Sequence, residues 1–211
     1  MRDLNNKVTI TGEVVSEFEF SNQMYGENFY TFKVSITRTS GTADVIPVTV
    51  SERLIDVKQS LVGEHVCVVG EFRSYNKKIG DRTKLILYVF ANECEVINAV
   101  VTGESCNHIE LEGHLCKEVK YRETPSGREI ADLLLAVNRM HGKSDYIPCI
   151  VWGRNAKFAK DLSVGTKIKV AGRIQSREYV KKLEGGNSET RVAYEVSVSK
   201  FEILEEETNE E

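Results

Sequence analysis

Gly41-Thr42-Ala43-Asp44-Val45-Ile46-Pro47-Val48-Thr49-Val50-Ser51-Glu52-Arg53 has a counterpart 101 residues on, Gly142-Lys143-Ser144-Asp145-Tyr146-Ile147-Pro148-Cys149-Ile150-Val151-Trp152-Gly153-Arg154. Gly, Asp, Ile, Pro, Val and Arg recur at matching places. Upstream the register holds without a gap: Gly12 meets Gly113, Glu17 meets Glu118, Gly26 meets Gly127 and Arg38 meets Arg139. Downstream, one added residue brings Val62-Gly63 onto Val164-Gly165 and Val69-Gly70-Glu71-Phe72 onto Ala171-Gly172-Arg173-Ile174. Solenoid units are much shorter than this, so the period marks two copies of one domain. The copies are residues 1–98 and 107–204, joined by a linker from about Asn98 to Asn107 and followed by an acidic tail, 205–211.

Within each copy the apolar pattern has period two, the signature of half-buried strands. In the second copy Ile109, Leu111, Gly113 and Leu115 mark strand one, and Glu129 to Met140 strand two. Tyr146 to Trp152 is strand three, Lys167 to Val180 strand four and Arg191 to Leu204 strand five. Between strands three and four, Ala156, Ala159 and Leu162 have helical spacing, which predicts a short helix over Asn155 to Leu162. Five strands with one helix between the third and fourth is the OB-fold order. The predicted fold is therefore all-β: two tandem five-stranded OB barrels, each with that short helix. Gly12, Gly70, Gly113 and Gly172 fall inside strands, where a closed barrel bends sharply. Pro47 and Pro148 in strand three require a place where one N–H side is unpaired.

Composition narrows the function. The 211 residues are 41% apolar and 28% charged, enough to bury a core. The longest apolar run, Leu85 to Ala91, is seven residues, far short of a membrane span. The N-terminal residues lack the apolar stretch of a signal peptide, so the chain is expected in the cytosol. Its five cysteines are widely spaced with no C-x-x-C pair, and its four histidines show no ligand spacing, so neither a disulfide framework nor a zinc site nor any other cofactor is expected. Cys67 and Cys149 read as reduced core residues. The carboxylates are scattered over strands and loops rather than clustered for a metal, so no enzyme is expected.

The net charge of −4 is unevenly spread. Residues 1–100 carry 11 Lys and Arg against 13 Asp and Glu, and residues 107–204 carry 17 against 13. The tail from Glu205 adds five Glu and no cation. A basic module with an acidic tail suits a polyanionic partner.

The second copy resembles the bacterial single-stranded-DNA-binding protein family. The residues that carry the resemblance are Leu111-Glu112-Gly113-His114-Leu115, Tyr121-Arg122-Glu123-Thr124-Pro125-Ser126-Gly127, Val151-Trp152-Gly153-Arg154, and Val164 through Ile174. The first copy is divergent and reaches the resemblance mainly through the second. The resemblance implies an OB fold without catalysis, single-stranded DNA as partner in replication, recombination or repair, and a cytoplasmic, nucleoid-associated place. It also implies four OB domains per assembly, hence a homodimer of this two-domain chain. The tail is short and has no apolar tip, so recruitment of protein partners through it is not expected.

Binding single strands regardless of sequence takes aromatic faces for the bases and cations along the phosphates. In strand three, alternation turns Ile147, Cys149 and Val151 to one face and Tyr146, Pro148, Ile150 and Trp152 to the other. A lone tryptophan is more often core. Here the small apolar set claims the core, which leaves Trp152 and Tyr146 outside, where the family places stacking aromatics. Tyr179 on strand four is a third candidate. Met140 and His141 stand where the family has a further aromatic. The candidate cations are Arg122, Arg139, Lys143, Arg154, Arg173, Arg177, Lys181 and Lys182. In the first copy Val45 and Ser51 occupy the positions of Tyr146 and Trp152, and its candidates are Arg38, Arg53, Arg73 and Tyr75. It is expected to bind more weakly or to serve assembly. The other reading open to the sequence is an OB-fold protein-interaction role, like that of primosome accessory proteins, with weak nucleic-acid binding.

Overall fold

In a computed structural model, which describes residues 5–80, 82–98, 103–182 and 188–205, nearly every element is a strand. The first copy forms β1 (Asn6–Val14), β2 (Glu19–Met24), β3 (Glu27–Thr37), β4 (Ala43–Ser51), β5 (His65–Ile79) and β6 (Arg82–Ile97). The second forms β7 (Asn107–Leu115), β8 (Lys120–Glu123), β9 (Glu129–Asn138), β10 (Ser144–Trp152), a helix α1 (Arg154–Ala159), β11 (Lys167–Lys182) and β12 (Ser188–Ile203). Residues 206–211, most of the acidic tail, lie outside the described residues, as do 99–102 of the expected linker and the side chain of Lys182.

Each copy closes a five-stranded barrel. In the first, β1 pairs with both β5 and β3, and a parallel contact between β4 and β6 shuts the ring. In the second, β7 pairs with β11 and β9, and β10 runs parallel to β12. That parallel contact begins at Val48 in one copy and Cys149 in the other, one residue past Pro47 and Pro148, so each proline is paired on one side only, with Lys33 of β3 or Leu134 of β9. β5 and β11 each carry a bulge, at Val69/Gly70 and Ala171/Gly172. A Cβ on Gly70 or Gly172 would overlap the carbonyl oxygen of Phe90 or Ser197, so no other residue fits where the strand bends over its partner. Ile10, Phe32, Ile46 and Phe72 fill the first barrel, and Leu115, Leu135, Ile147 and Ile174 the second, all fully buried.

The expected helix forms in the second copy only, and there it ends at Ala159 with Leu162 in the following turn. In the first copy residues 52–64 form turns and bends without a helix. Three local side-chain contacts compete with helical bonds there: the Ser51 hydroxyl accepts from the N–H of Arg53, Asp56 from that of Lys58, and Ser60 from that of Val62. The second copy instead has Ala156 and Ala159 to bury against the barrel. Two short edge strands, β2 and β8, lengthen the hairpins that precede β3 and β9 and stand at the two ends of a continuous 12-stranded sheet.

The barrels are joined through β1 and β7, which pair antiparallel with Val8 opposite Ile109. These two are the same position in the two copies, so a pseudo-two-fold axis passes between them. Around it stands a reciprocal pair of clamps. Asp145 accepts the N–H of Ser74, whose hydroxyl accepts the N–H of Tyr146 at 2.8 Å. Asp44 accepts the N–H of Ser176 at 2.8 Å, and the Ser176 hydroxyl accepts the N–H of Val45 at 3.0 Å. Both carboxylates are buried, and each holds an arginine of its own copy, Arg38 on Asp44 and Arg139 on Asp145. Arg139 also donates to the carbonyl of Ser74 across the junction.

Candidate nucleic-acid interface

β10 alternates as its sequence predicts. Ile147, Cys149 and Val151 are buried in the barrel, while Tyr146 is 43% and Trp152 38% exposed on the outer face. Pro148 and Ile150 lie between them, Ile150 nearly covered. Paired residues on neighbouring strands share a face, so Trp152, Ile130 and Arg122 form one row across β10, β9 and β8, and Ile150, Asp132 and Lys120 the next. Burial pushes the Cys149 thiol up, which keeps it a neutral core residue. Cys94, also buried, is pushed up to about 12. Cys67, expected in the core, is only half-buried on the outer side of β5.

The candidate cations fall into four groups. Arg154, at the start of α1 beside Trp152, is exposed and makes no ion pair among the described residues. Arg177 and Lys181 lie on the long β11–β12 hairpin. The Arg177 guanidinium stands 5.9 Å from the Tyr179 ring centre and 4.0 Å from the Glu195 carboxylate, and Tyr179 is 38% exposed. Arg122 is exposed but bonded to Asp132 at 3.0 Å, Arg53 faces Glu27 at 3.6 Å, and Arg73 pairs with Glu71 at 3.0 Å while lying over the Phe90 ring. Arg38 and Arg139 belong to the clamps. Sequence placed them among the phosphate contacts; the structure commits their guanidinium groups to Asp44 and Asp145. A buried carboxylate needs a cation more than the exposed backbone of a ligand does.

In the first copy, Val45 takes part in a clamp, and the Ser51 hydroxyl bonds the carboxylate of Glu27, so β4 presents no aromatic. Tyr75 is 48% exposed on the β5–β6 hairpin and packs edge-on against Tyr88, ring centres 5.9 Å apart. Burial pushes the Tyr88 hydroxyl up, and Arg139 and Arg73 oppose that shift.

Between the β5–β6 hairpin of one copy and the β11–β12 hairpin of the other runs a groove of about 980 Å³. Its aromatic lining is Phe29, Tyr75, Tyr88, Phe90, Tyr179 and Tyr194. Pro47 and Pro148 both border it, which places it over the pseudo-two-fold axis. Sequence reading did not single out Tyr88, Tyr194, Lys84, Arg191 or Lys120. Each sits in an alternating strand as an ordinary surface residue would, and only the juxtaposition of the copies brings the first four together.

The single-strand binding protein family model matches residues 106–204. A Streptococcus pyogenes protein, single-stranded DNA-binding protein 1, is 34% identical over 110 residues, covering 49% of this chain and 82% of that protein. Staphylococcus aureus single-stranded DNA-binding protein 1 is 41% identical over 80 residues, 35% of this chain; that match spans about half, 48%, of the relative's length. The wild-type single-stranded DNA binding protein from Thermus aquaticus superposes with a TM-score of 0.75 at 18% identity, over 95% of this chain and 93% of that one. A deletion mutant of the Thermus protein superposes at 0.72 over 98% of both chains. These two likenesses extend the tandem-barrel architecture over both copies.

Proposed function

The chain belongs to the single-strand binding protein family, and from that premise we propose that it binds single-stranded DNA without reading its sequence. The outer face of the second barrel is the main platform. The observation that carries this is the placement of Trp152 and Tyr146, held on the outside of β10 by a partner set buried inside the barrel. Each base stacked on an aromatic is worth about 1–3 kcal/mol, and a stacked base must first be unpaired, so the platform discriminates against duplex. Arg154, Arg177 and Lys181 supply cations beside it, with Lys182 next in sequence on the same hairpin. Their gain on binding is release of counterions from the phosphates, which makes affinity depend on salt. Neither aspect involves a bond to a base edge, so sequence is not read. Binding of this kind suits strands exposed in the cytoplasm during DNA replication, recombination and repair.

The test is competition. A labelled oligo-dT bound to the whole chain should be displaced by unlabelled single strands of mixed sequence at similar concentrations, and by duplex only at much higher ones. Raising salt should weaken binding along a straight line of log affinity against log salt. Displacement by duplex at the same concentration as by single strand refutes the proposal.

We further infer a homodimer carrying four barrels, on the family's recurrent count of four such domains against two per chain. Light scattering at micromolar concentration is expected to give twice the 23.8 kDa chain mass, and a value of 23.8 kDa contradicts it.

A further inference from the structure

Gly153 stands between Trp152 and Arg154 with a φ of 57°, a left-handed backbone that suits glycine. The chain turns there from β10 into α1. The Gly153 carbonyl accepts the N–H of Lys157, and its own N–H donates to the carbonyl of Glu129 at 2.9 Å. The way Trp152 and Arg154 leave the barrel therefore depends on the start of β9. The first copy keeps the same backbone bond at the matching positions, from the Glu52 N–H to the Asn28 carbonyl. There a carboxylate also reaches back from the turn: Glu52 accepts the backbone and side-chain N–H groups of Asn28 at 3.2 and 3.1 Å. Gly153 has no side chain to do this, and in the second copy the carboxylate stands on the strand instead. Glu129 accepts the Tyr121 hydroxyl of β8 at 2.7 Å and meets the Lys157 ammonium of α1 at 3.1 Å. The Lys160 ammonium, 5.8 Å from the Tyr121 ring centre, adds a second link between hairpin and helix. The Tyr121 hydroxyl, and after it Lys157, hold the Glu129 carboxyl below the usual carboxylate range, so it is ionised at neutral pH. Tyr121 is paired with Ala131 and Glu123 with Glu129, so Tyr121 and Glu129 lie on the face of the sheet opposite to Trp152, Ile130 and Arg122. The tie stands behind the platform.

We propose that Glu129 is a positioning residue for single-strand binding: by tying β8 and α1 to the start of β9, it holds Arg122 and Arg154 in register with Trp152. The inference rests on the single-strand binding proposed above. Charge alone predicts the opposite effect. A carboxylate near the path of a polyanion repels it, so its removal should tighten binding. Removal of a positioning residue loosens the cations in front of it and weakens binding.

The experiment measures oligo-dT binding by the whole chain, well below the melting midpoint of every variant. Glu129→Ala is expected to weaken binding about 2- to 10-fold, the size of one net hydrogen bond. It should also reduce the slope of log affinity against log salt by about 0.7, as Arg154 loses its phosphate. Glu129→Gln makes the same change in charge but keeps an acceptor for the Tyr121 hydroxyl, and should recover part of the affinity. Tyr121→Phe removes only a hydroxyl from an exposed ring and should weaken binding in the same sense. Added to Glu129→Ala it should cost nothing more, since the contact is already gone. Affinity of Glu129→Ala at or above that of the unaltered chain, or a loss that leaves the salt slope unchanged, overturns the positioning role while leaving single-strand binding intact. A change confined to the melt overturns it as well, because Glu129 would then serve the fold alone. Failure of the unaltered chain to bind oligo-dT overturns the reading on which the role rests.

Discussion

Arg139→Met is expected to destabilise the DNA-free chain by about 3–5 kcal/mol, the usual cost of stripping one partner from a buried ion pair. Asp145 is almost wholly buried, with side-chain exposure of 1%, and it also receives the N–H of Ser74 from the other barrel. Without the guanidinium the carboxylate is left with that N–H alone, and the carbonyl of Ser74 loses its donor as well. The loss should appear in a guanidinium chloride melt as a lower midpoint. Arg122→Met is the control: its pair with Asp132 is 53% and 37% exposed, so removing it should cost no more than about 1 kcal/mol. Equal, small effects at both sites would mean that Arg139 is a surface cation like any other.

The second large effect concerns binding. Trp152→Ala is expected to weaken binding to oligo-dT about 5- to 150-fold, the equivalent of one lost stacked base. Because the ring lies on the outer face at 38% exposure, the truncation opens no core cavity and the melt should move little. Ser51, at the matching position of the first copy, is 5% exposed and tied to Glu27, so Ser51→Ala should leave affinity unchanged. Equal affinities of Trp152→Ala and the unaltered chain would remove the platform from β10.

These two sites show what the sequence can and cannot reveal. Trp152 was legible because strand alternation is local: once Ile147, Cys149 and Val151 claim the core, the residues between them must face out. The barrels were legible for a similar reason, since the repeat doubles every strand signal and puts glycine at both bulges. Arg139 was not legible as a clamp. Its partner Asp145 is six residues away, but what buries the pair is Ser74 of the other copy, 65 residues upstream of Arg139. A cation bound for phosphate and one bound for a buried carboxylate look alike until the junction is built. The missing helix of the first copy turns on three short hydrogen-bonding side chains in a stretch whose apolar spacing alone does not exclude a helix. Every residue of the edge strands β2 and β8 is exposed, so they leave no apolar alternation to read.

Bases of a single strand are expected to stack on the outer face of the second barrel. Trp152 is the only tryptophan in the chain, so its fluorescence reports on that face alone. Titrating the whole chain with oligo-dT, and in parallel with duplex of the same length, should quench Trp152 with the single strand at low concentration. The duplex should have little effect, and added salt should restore the signal. Unquenched fluorescence at saturating oligo-dT, or equal quenching by duplex, would contradict the account.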